Sequence, residues 1–314
     1  MTEKIPLVIV TGATASGKTA LGIELAKHFN GEVISCDSMQ IYKNLDIGTA
    51  KPDKEEMQGV VHHMIDIVPP TEEFSVERYC TMAAQIIRDI YCRGKLPIMV
   101  GGTGLYTDNT VMGTVFNAPK RDEQLSSRLA QIAAEQGNGA LFSLLQKEDP
   151  KMAQKLHPND TKRVIRAIET VRTTGKTRSE LDSLSRPCSS PYNYIYIAID
   201  MDRERLYGRI DKRVDIMLEN GLIKEVEQHI LPFRKEMSTA LMAIGYREVL
   251  WYFDGLCTYG EMIQLLKRNT RRYAKRQLTW LRRNNEVNWL DSTDAFNQAK
   301  ELIERILTDE NTTD

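Results

Sequence analysis

Short apolar runs alternate along this chain with longer segments of helical periodicity. The apolar runs are bounded by polar residues or glycines and are too short for helices, so each indicates a buried β-strand. They are LVIV at 7–10, EVISC at 32–36, LPIMV at 96–100 and YIYIAI at 194–199. In the segments 75–93 and 202–220, apolar side chains recur every three or four residues, which is typical of amphipathic helices. The alternation of strands and helices predicts an α/β fold with a parallel sheet.

A glycine-rich segment joins the first strand to the next helical pattern. It fits G-x-x-x-x-G-K-[ST] at each fixed position, with Gly12, Ala13, Thr14, Ala15, Ser16, Gly17, Lys18 and Thr19. The glycines let the backbone curl so that its N–H groups and the positive end of the helix hold phosphate oxygens. Lys18 adds a positive charge, and Thr19 offers a hydroxyl to Mg²⁺. The motif predicts a P-loop NTPase-like core. ATP is the default ligand, and a pyrophosphate ester would satisfy the same N–H groups.

Polar residues follow the second and third strands, at the sheet edge where open α/β proteins bind ligands. Asp37 comes directly after the second strand, and the segment 101–104, GGTG, follows the third. Asp37 is therefore expected near the phosphate loop, although a turn or capping aspartate would also fit its position. Taken alone, GGTG is a weak signal, because glycine turns after strands are common.

Composition changes after residue 116. Residues 117–190 have little strand character and read as short helices at 121–136, 139–147, 150–156 and 160–173. We therefore predict a core made of residues 1–116 and 191–314, with C-terminal helices, and an inserted helical domain at 117–190. The stretch 183–191, rich in serine and proline, indicates a linker.

Arginines recur every fourth residue along the helix that follows the fourth strand, at Arg205, Arg209 and Arg213. Because this helix starts at the ligand edge, the arginines could meet phosphate. Surface ion pairs are an equally good interpretation. Residues 222–285 are mostly helical, with a turn at 254–255. Tyr273 and Trp280 lie there among basic residues, either as core anchors or as rings that stack on bases.

Composition narrows the class of protein. Of 314 residues, 41% are hydrophobic and 27% charged, as in ordinary soluble domains. No apolar run approaches the ~20 residues that span a bilayer, and the N-terminus does not resemble a signal peptide, so we expect no membrane association and a cytoplasmic location. Five cysteines without a C-x-x-C pair argue against a disulfide framework or a zinc site. The adjacent His62 and His63 are better read as loop or core histidines than as metal ligands.

The net charge of −1 hides a local imbalance. The stretches 162–178 and 267–283 are strongly basic, and the second contains no acidic residue. A solvated helix face is the default interpretation of such a run. Local charge rather than the sum nevertheless decides whether a polyanion can dock.

Six motifs occur in an order that resembles the tRNA dimethylallyltransferases, also called isopentenylpyrophosphate transferases. They are GATASGKT, SCDSMQIYKNLDIGTAKP, GGTGLY, HPNDTKRVIRAIE, AIGYRE and AKRQLTWLRR. The resemblance implies transfer of a dimethylallyl group from its diphosphate to N6 of the adenine at tRNA nucleotide 37, 3′-adjacent to the anticodon, which gives N6-isopentenyladenosine and diphosphate. The phosphate loop would hold the pyrophosphate of the prenyl donor rather than ATP. The chain ends without the zinc finger of eukaryotic members, which suggests the bacterial form.

The resemblance also implies roles for individual residues. Asp37 would be the general base that takes a proton from the adenine amine, Thr103 would hydrogen-bond near that amine, and Arg209 or Arg213 would clamp the pyrophosphate. The residues implied to contact tRNA are Asp37, Ser38, Met39, Gln40, Thr103, Arg128, Lys162, Arg163, Val164, Ile165, Arg166, Met242, Ala243, Ile244, Gly245, Tyr246, Arg247, Arg276 and Gln277. The expected partners are the tRNA anticodon stem-loop and dimethylallyl diphosphate, and the expected cofactor is Mg²⁺. The protein is expected to be a monomer. The target base would be flipped into a channel between the core and the helical insertion.

Two other classes of protein would share the phosphate loop. A P-loop small-molecule kinase would use Asp37 to activate a hydroxyl, but it would need neither the two basic stretches nor AKRQLTW. A regulatory nucleotide-binding module without chemistry would account for neither Asp37 nor Thr103.

Overall fold

In the computed structural model the chain forms a sheet flanked by helices. The structure describes residues 4–116, 121–185 and 189–310. The strands of this part are β1 (Ile5–Thr11), β2 (Gly31–Ser35), β3 (His62–His63), β4 (Leu96–Val100), β5 (Tyr192–Asp200) and β6 (Val287–Asp291). Its α-helices are α1 (Lys18–His28), α2 (Lys54–Met57), α3 (Val76–Cys92), α4 (Gly104–Val111), α5 (Glu123–Glu148), α6 (Pro150–Ala153), α7 (Thr161–Thr174), α8 (Arg178–Leu184), α9 (Arg203–Glu219), α10 (Leu222–His229), α11 (Tyr246–Phe253), α12 (Tyr259–Leu281) and α13 (Ala295–Glu310).

The sheet is parallel throughout, in the order β3-β2-β4-β1-β5-β6. Its register aligns Val10 with both Val100 and Ile197, and Ser35 with Val100. The carboxyl ends of β2, β4, β1 and β5 therefore share one edge, as parallel strands require. The predicted α/β class with a parallel sheet and flanking helices is confirmed.

Apolar side chains from the strands and two helices form the core on one face of the sheet. Val8 and Val10 of β1 pack with Leu21 and Leu25 of α1. Burial of a branched aliphatic side chain contributes about 1.5–3 kcal/mol, so these contacts hold the start of α1 against the sheet. The helix that begins at Lys18 is thereby fixed at the carboxyl edge.

Several local predictions are wrong. We did not predict β6 or α13, yet Ala299 and Ile303 of α13 are fully buried in the sheet core. The signal was present as helical spacing but lay in a stretch dominated by acidic residues. His62 and His63, expected to be loop or core histidines, form a two-residue edge strand and are both partly buried, so neither alternative describes them fully. The predicted linker 183–191 begins inside α8, and its residues 186–188 lie outside the described residues.

The chain divides into two compact units, Met1–Val111 with Ser190–Asp314, and Met112–Ser189. The second unit is helical. Its core joins Leu129, Leu141 and Leu145 of α5 to Val164 and Ile168 of α7. A non-helical Gly137 breaks α5 between the two helices that the sequence predicted there. Among the described helices of both units, none has the length and apolar content of a membrane span.

Candidate active site

The phosphate loop lies between β1 and α1 at the carboxyl edge of the sheet. Gly12 and Gly17 have φ angles of +144° and +103°, which side chains rarely tolerate. A Cβ on Gly12 would lie 2.8 Å from Ser16 Oγ, so the loop is too tight for a larger residue. Ser16 Oγ is buried and has no hydrogen-bond partner among the described residues. A buried hydroxyl without a partner is costly, so the loop offers an unused donor to an anion.

Lys18 is flanked by charges of both signs. Burial, together with the charge of Arg213, lowers the pKa of the Lys18 ammonium to about 8, although Asp37 acts in the opposite direction. A lysine held beside another cation gains stability when an anion binds between them. Arg209 Nη2 lies 3.8 Å from the position that a Cβ on Gly17 would occupy. The residues predicted to hold phosphate are thus gathered around one loop.

The two candidate arginines of α9 lie close to the loop, whereas Arg205 does not. Arg205 instead points towards Ser292, with 3.5 Å between Nη1 and Oγ. Arg213 Nη2 approaches the carbonyl oxygen of Ala50 at 3.5 Å. Burial lowers the pKa of Arg213, and Asp37 opposes that shift. Arg213 is thus partly buried and contacts a backbone carbonyl. The alternative interpretation, a surface ion pair, therefore does not apply to it.

Asp37 and Thr103 shape the loops that follow β2 and β4. Asp37 Oδ1 accepts a hydrogen bond from the backbone N–H of Met39 at 2.8 Å. The N–H of Ser38 donates to Thr103 Oγ1 at 3.1 Å, which ties the two loops together. Tyr273 lies beside Thr103, and burial raises the pKa of its hydroxyl. Within the described residues, no hydrogen bond reaches the second oxygen of Asp37, which can therefore accept a proton.

Two cavities meet at Asp37. The narrow one, of about 50 Å³, is lined by Lys18, Thr19 and Asp37 on the phosphate side and by apolar residues such as Val33 and Val100. The wide one has a volume of about 550 Å³, a size typical of ligand sites. The residues that line both cavities are Thr14, Asp37, Thr49, Ala50 and Arg213. A phosphate-bearing ligand at the phosphate loop and a second ligand in the wide cavity would thus meet at Asp37.

Gln277 joins the two glycine loops. Its Oε1 accepts from the N–H of Thr14 at 2.8 Å, and its Nε2 donates to the carbonyl of Gly102 at 3.0 Å. The side chain is only 7% exposed. Sequence reasoning assigned Gln277 to the tRNA contacts, but both ends of its amide are engaged by the backbone of the site. Its position within the basic stretch concealed this bracing role.

The segment 242–247 forms part of the wall of the wide cavity. Met242, Ala243, Ile244, Gly245 and Arg247 line it, together with Ser38 and Met39. Tyr246 is fully buried, and its hydroxyl donates to Glu225 Oε1 at 2.8 Å. Its ring therefore does not face a substrate. The other five residues of the predicted tRNA segment line the cavity.

The predicted tRNA residues of the helical unit differ in exposure. Arg128, Lys162 and Arg163 are exposed. Val164 and Ile165 are buried in the core of that unit, so their side chains do not reach the surface, and only their backbone is left for the predicted tRNA contact. Arg166 is partly buried and pairs with the buried Glu169 at 3.0 Å.

The basic stretch 267–283, on α12 and directly after its end, is not fully neutralised. Lys267 and Arg271 pair with Asp215 and Asp211 of α9. Within the described residues, no carboxylate lies within ion-pair distance of Arg268, Arg272, Lys275, Arg276, Arg282 or Arg283. Trp280 lies beside them and donates from Nε1 to Asp108 Oδ2 at 2.8 Å. Unpaired cations next to an exposed indole ring suit a polyanion with unstacked bases.

Two side-chain oxygen groups in the narrow cavity suit Mg²⁺. The Thr19 hydroxyl and the Asp37 carboxylate line the narrow cavity, and both are the oxygen ligands that Mg²⁺ prefers. No group of three or more His, Cys, Asp or Glu suited to a metal occurs in the described part of the chain. The residues therefore fit an ion held mainly by phosphate oxygens and water, as is usual for Mg²⁺.

The chain matches two family models and several known proteins. A family model described as IPP transferase matches residues 40–284, and one described as isopentenyl transferase matches residues 5–68. The chain is 48% identical to a tRNA dimethylallyltransferase from Acetivibrio thermocellus, with 96% of each chain covered. It is 46% identical to a tRNA dimethylallyltransferase from Carboxydothermus hydrogenoformans, with 98% of each chain covered.

Two solved structures are similar along nearly the whole chain. The tRNA isopentenylpyrophosphate transferase from Bacillus halodurans is 43% identical, with a TM-score of 0.72 over 98% of this chain and 97% of that one. A eukaryotic dimethylallyltransferase described as acting on tRNA is 31% identical, with a TM-score of 0.82 over 97% of this chain and 79% of that one. These names do not favour a small-molecule kinase. The chain belongs to the IPP transferase family.

Proposed function

We propose that the chain transfers the dimethylallyl group of dimethylallyl diphosphate to N6 of the tRNA adenine 3′-adjacent to the anticodon. The relatives named tRNA dimethylallyltransferase support this activity. The observation that carries the proposal is the position of Asp37, in the common wall of the phosphate cavity and the wide cavity. The site thus has separate places for donor and acceptor, with one carboxylate at their junction.

The diphosphate leaves with negative charge, and the residues around the phosphate loop stabilise that charge. The C1–O bond to the diphosphate breaks as the C1–N6 bond forms. Lys18, Arg213 and Arg209 surround the loop, and its N–H groups and the unused Ser16 hydroxyl add dipoles. Such preorganised donors act most strongly where water is excluded. Mg²⁺, held by Thr19 and the phosphate oxygens, would neutralise part of the same charge.

Asp37 acts on the adenine amine, which is a weak nucleophile. One N6 proton passes to the free carboxylate oxygen of Asp37 as the new C–N bond forms. General-base catalysis of this kind contributes about 10²–10⁴-fold. Thr103 is held beside Asp37 by Ser38 and is positioned to accept a hydrogen bond from the same amine. The narrow, partly apolar cavity limits water, which would otherwise capture the allylic carbon.

The acceptor is a base in the anticodon loop of a tRNA. Such a base is unpaired, so extruding it into a pocket costs less than it would in a duplex. The cations of α12 would bind the phosphate backbone, and the exposed Lys162 and Arg163 of the helical unit would add to them. We propose a monomer in the cytoplasm, the compartment of the tRNA substrate. Light scattering of the protein alone and with tRNA would test the monomer.

A direct assay tests the function. Purified protein, Mg²⁺, an anticodon stem-loop RNA and dimethylallyl diphosphate should yield an RNA whose mass has increased by one dimethylallyl group, located on the adenine by nuclease digestion. The matched RNA with guanine at that position should stay unmodified. Stabilisation of the protein by ATP but not by dimethylallyl diphosphate, with no RNA product, would instead support the kinase.

A further inference from the structure

Glu225 is a buried carboxylate that the proposed chemistry does not use. It lies on α10 and is only 7% exposed. Its Oε2 accepts from the backbone N–H groups of Asp46 and Ile47 at 2.8 and 2.7 Å. Its Oε1 accepts from the N–H of Gly48 at 3.0 Å and from the Tyr246 hydroxyl at 2.8 Å. No Lys or Arg pairs with Glu225 in the part of the chain that the structure describes.

These four donors match the hydrogen-bonding capacity of one carboxylate. An ionised carboxylate offers about four lone-pair sites and no donor. Hydrogen bonds to a charged acceptor are about twice as strong as neutral ones, so Glu225 fixes three consecutive residues of the loop 46–50. It also joins this loop to Tyr246, whose pKa is raised by burial and by the charge of Glu225, so that its hydroxyl stays a donor.

The same loop supplies contacts to two residues of the active site. The carbonyl of Ala50 accepts from Gln40 Nε2 at 3.1 Å and from Arg213 Nη2 at 3.5 Å. The carbonyl of Thr49 accepts from Gln40 at 3.4 Å. Thr49 and Ala50 also line both cavities. The position of the loop therefore sets the position of Arg213 over the phosphate side and of Gln40 beside Asp37.

We propose that Glu225 is a positioning residue, which holds the loop 46–50 so that Arg213 and Gln40 keep their catalytic geometry. The inference rests on the proposed transfer reaction. Glu225 touches no substrate and acts through the loop. Its close packing supports this role, since a Cβ on Gly48 would lie 2.3 Å from Tyr246 Cε1 and the loop has no free space on that side.

A second anchor separates this role from general stability. Lys51 Nζ, at the end of the loop, contacts Asp46 Oδ1 at 2.5 Å, Asp66 Oδ1 at 2.6 Å and the carbonyl of Tyr42 at 2.9 Å. These bonds do not involve Glu225. Loss of Glu225 should therefore displace the loop locally without detaching it from the fold.

The decisive variant is Glu225→Gln, which keeps the shape of the side chain. A glutamine offers two lone pairs instead of four and directs an NH₂ group at donors. At least one loop N–H or the Tyr246 hydroxyl then loses its acceptor. We expect kcat/KM for dimethylallyl diphosphate to fall about 10- to 100-fold, since small displacements of clamping groups cost that much. The dissociation constant for tRNA, measured without donor, should change only a few-fold, because the cations of α12 are unaffected.

The matched control is Glu32→Gln. Glu32 is 2% exposed and bonds Arg93, Lys95 and His63 at the start of β2, the opposite end of the strand from Asp37. Its loss should lower the unfolding temperature without lowering kcat/KM by more than a few-fold. Hydrogen exchange read by mass spectrometry adds a measurement independent of activity. The amides of residues 46–48 should exchange faster in Glu225→Gln than in the unmodified protein. Their exchange should be unchanged in Glu32→Gln.

Two results would overturn the inference. In the first, Glu225→Gln and Glu32→Gln lower the unfolding temperature by the same amount and also lower kcat/KM by the same factor. Glu225 would then contribute to stability only. The other is unchanged exchange at residues 46–48 in Glu225→Gln. If the unmodified protein transfers no prenyl group, the proposed function fails, whereas the exchange contrast still reports whether Glu225 holds the loop.

Discussion

Replacing Gln277 by alanine tests whether one side chain braces the active site. The substitution removes the acceptor of the Thr14 N–H and the donor to the Gly102 carbonyl. These groups belong to the two glycine loops at the carboxyl edge of the sheet. Among the residues that the structure describes, no other side chain of α12 hydrogen-bonds both loops.

The size of the effect follows from the partners left behind. A buried backbone group that loses its partner costs about 1–3 kcal/mol. Thr14 is partly exposed, so water can partly replace the lost partner of its N–H. We therefore expect the two unpaired groups together to lower the free energy of unfolding by about 2–4 kcal/mol. Alanine favours helix slightly more than glutamine does, by a few tenths of a kcal/mol, which offsets little of this loss.

Urea denaturation followed by tryptophan fluorescence is the appropriate assay. The chain has 3 tryptophans, and Trp251, Trp280 and Trp289 all belong to the unit that contains the sheet. The signal therefore reports that unit and not the helical one. The urea concentration at the midpoint of unfolding should fall, while the slope of the free energy of unfolding against urea concentration stays constant.

Gln264→Ala is the matched control, because Gln264 lies on the exposed face of the same helix. Its effect should stay within about 0.5 kcal/mol, as for other surface substitutions. A Gln277→Ala variant with the same small effect would refute the reasoning, because the two hydrogen bonds would then contribute nothing to the fold.

Four further predictions address the chemistry and its surroundings. Asp37→Asn should lower kcat about 10²–10⁴-fold while tRNA affinity stays within a few-fold; near-normal turnover would remove Asp37 from the mechanism. The pKa of Lys18 is lowered to about 8 by burial and Arg213, so its charge is present below that pH and lost above it. The KM for dimethylallyl diphosphate should therefore rise above pH 8, whereas a KM that is flat up to about pH 9 would contradict the shifted lysine. Gly48→Ala should destabilise the protein by about 1–3 kcal/mol, because the new methyl would meet the buried ring of Tyr246; urea denaturation with no shift would show that the ring yields. The dissociation constant for tRNA should rise steeply with salt in filter-binding titrations, and a flat response would exclude the cations of α12 from the interface.

Much of the candidate active site was predictable, because its signals are local. The phosphate motif needs a strand, a tight turn and a helix start within a dozen residues, and each leaves a compositional trace. Asp37 and Thr103 follow apolar strands, and parallel strands bring their carboxyl ends to one edge. Local pattern therefore sufficed to expect Lys18, Asp37 and Thr103 at the same edge of the sheet.

The choice between similar residues was not predictable. Arg205, Arg209 and Arg213 have the same spacing, but only the last two approach the phosphate loop. Val164 and Ile165 belong to a basic motif, yet the core of the helical unit buries them. Which side of a helix faces a neighbour depends on packing against residues distant in sequence.

The sequence by itself determined the class of fold, the phosphate-loop motif and the position of Asp37 at the same sheet edge, since strand and helix periodicities and turn chemistry act over a few residues. Only the tertiary structure decided that Gln277 braces Thr14 across 263 positions, and that Glu225 holds a loop 177 positions away through Gly48. A glutamine and a glutamate on helices carry no local mark of such roles. All but one of these partners are backbone groups, and their identity depends on where the chain returns in space.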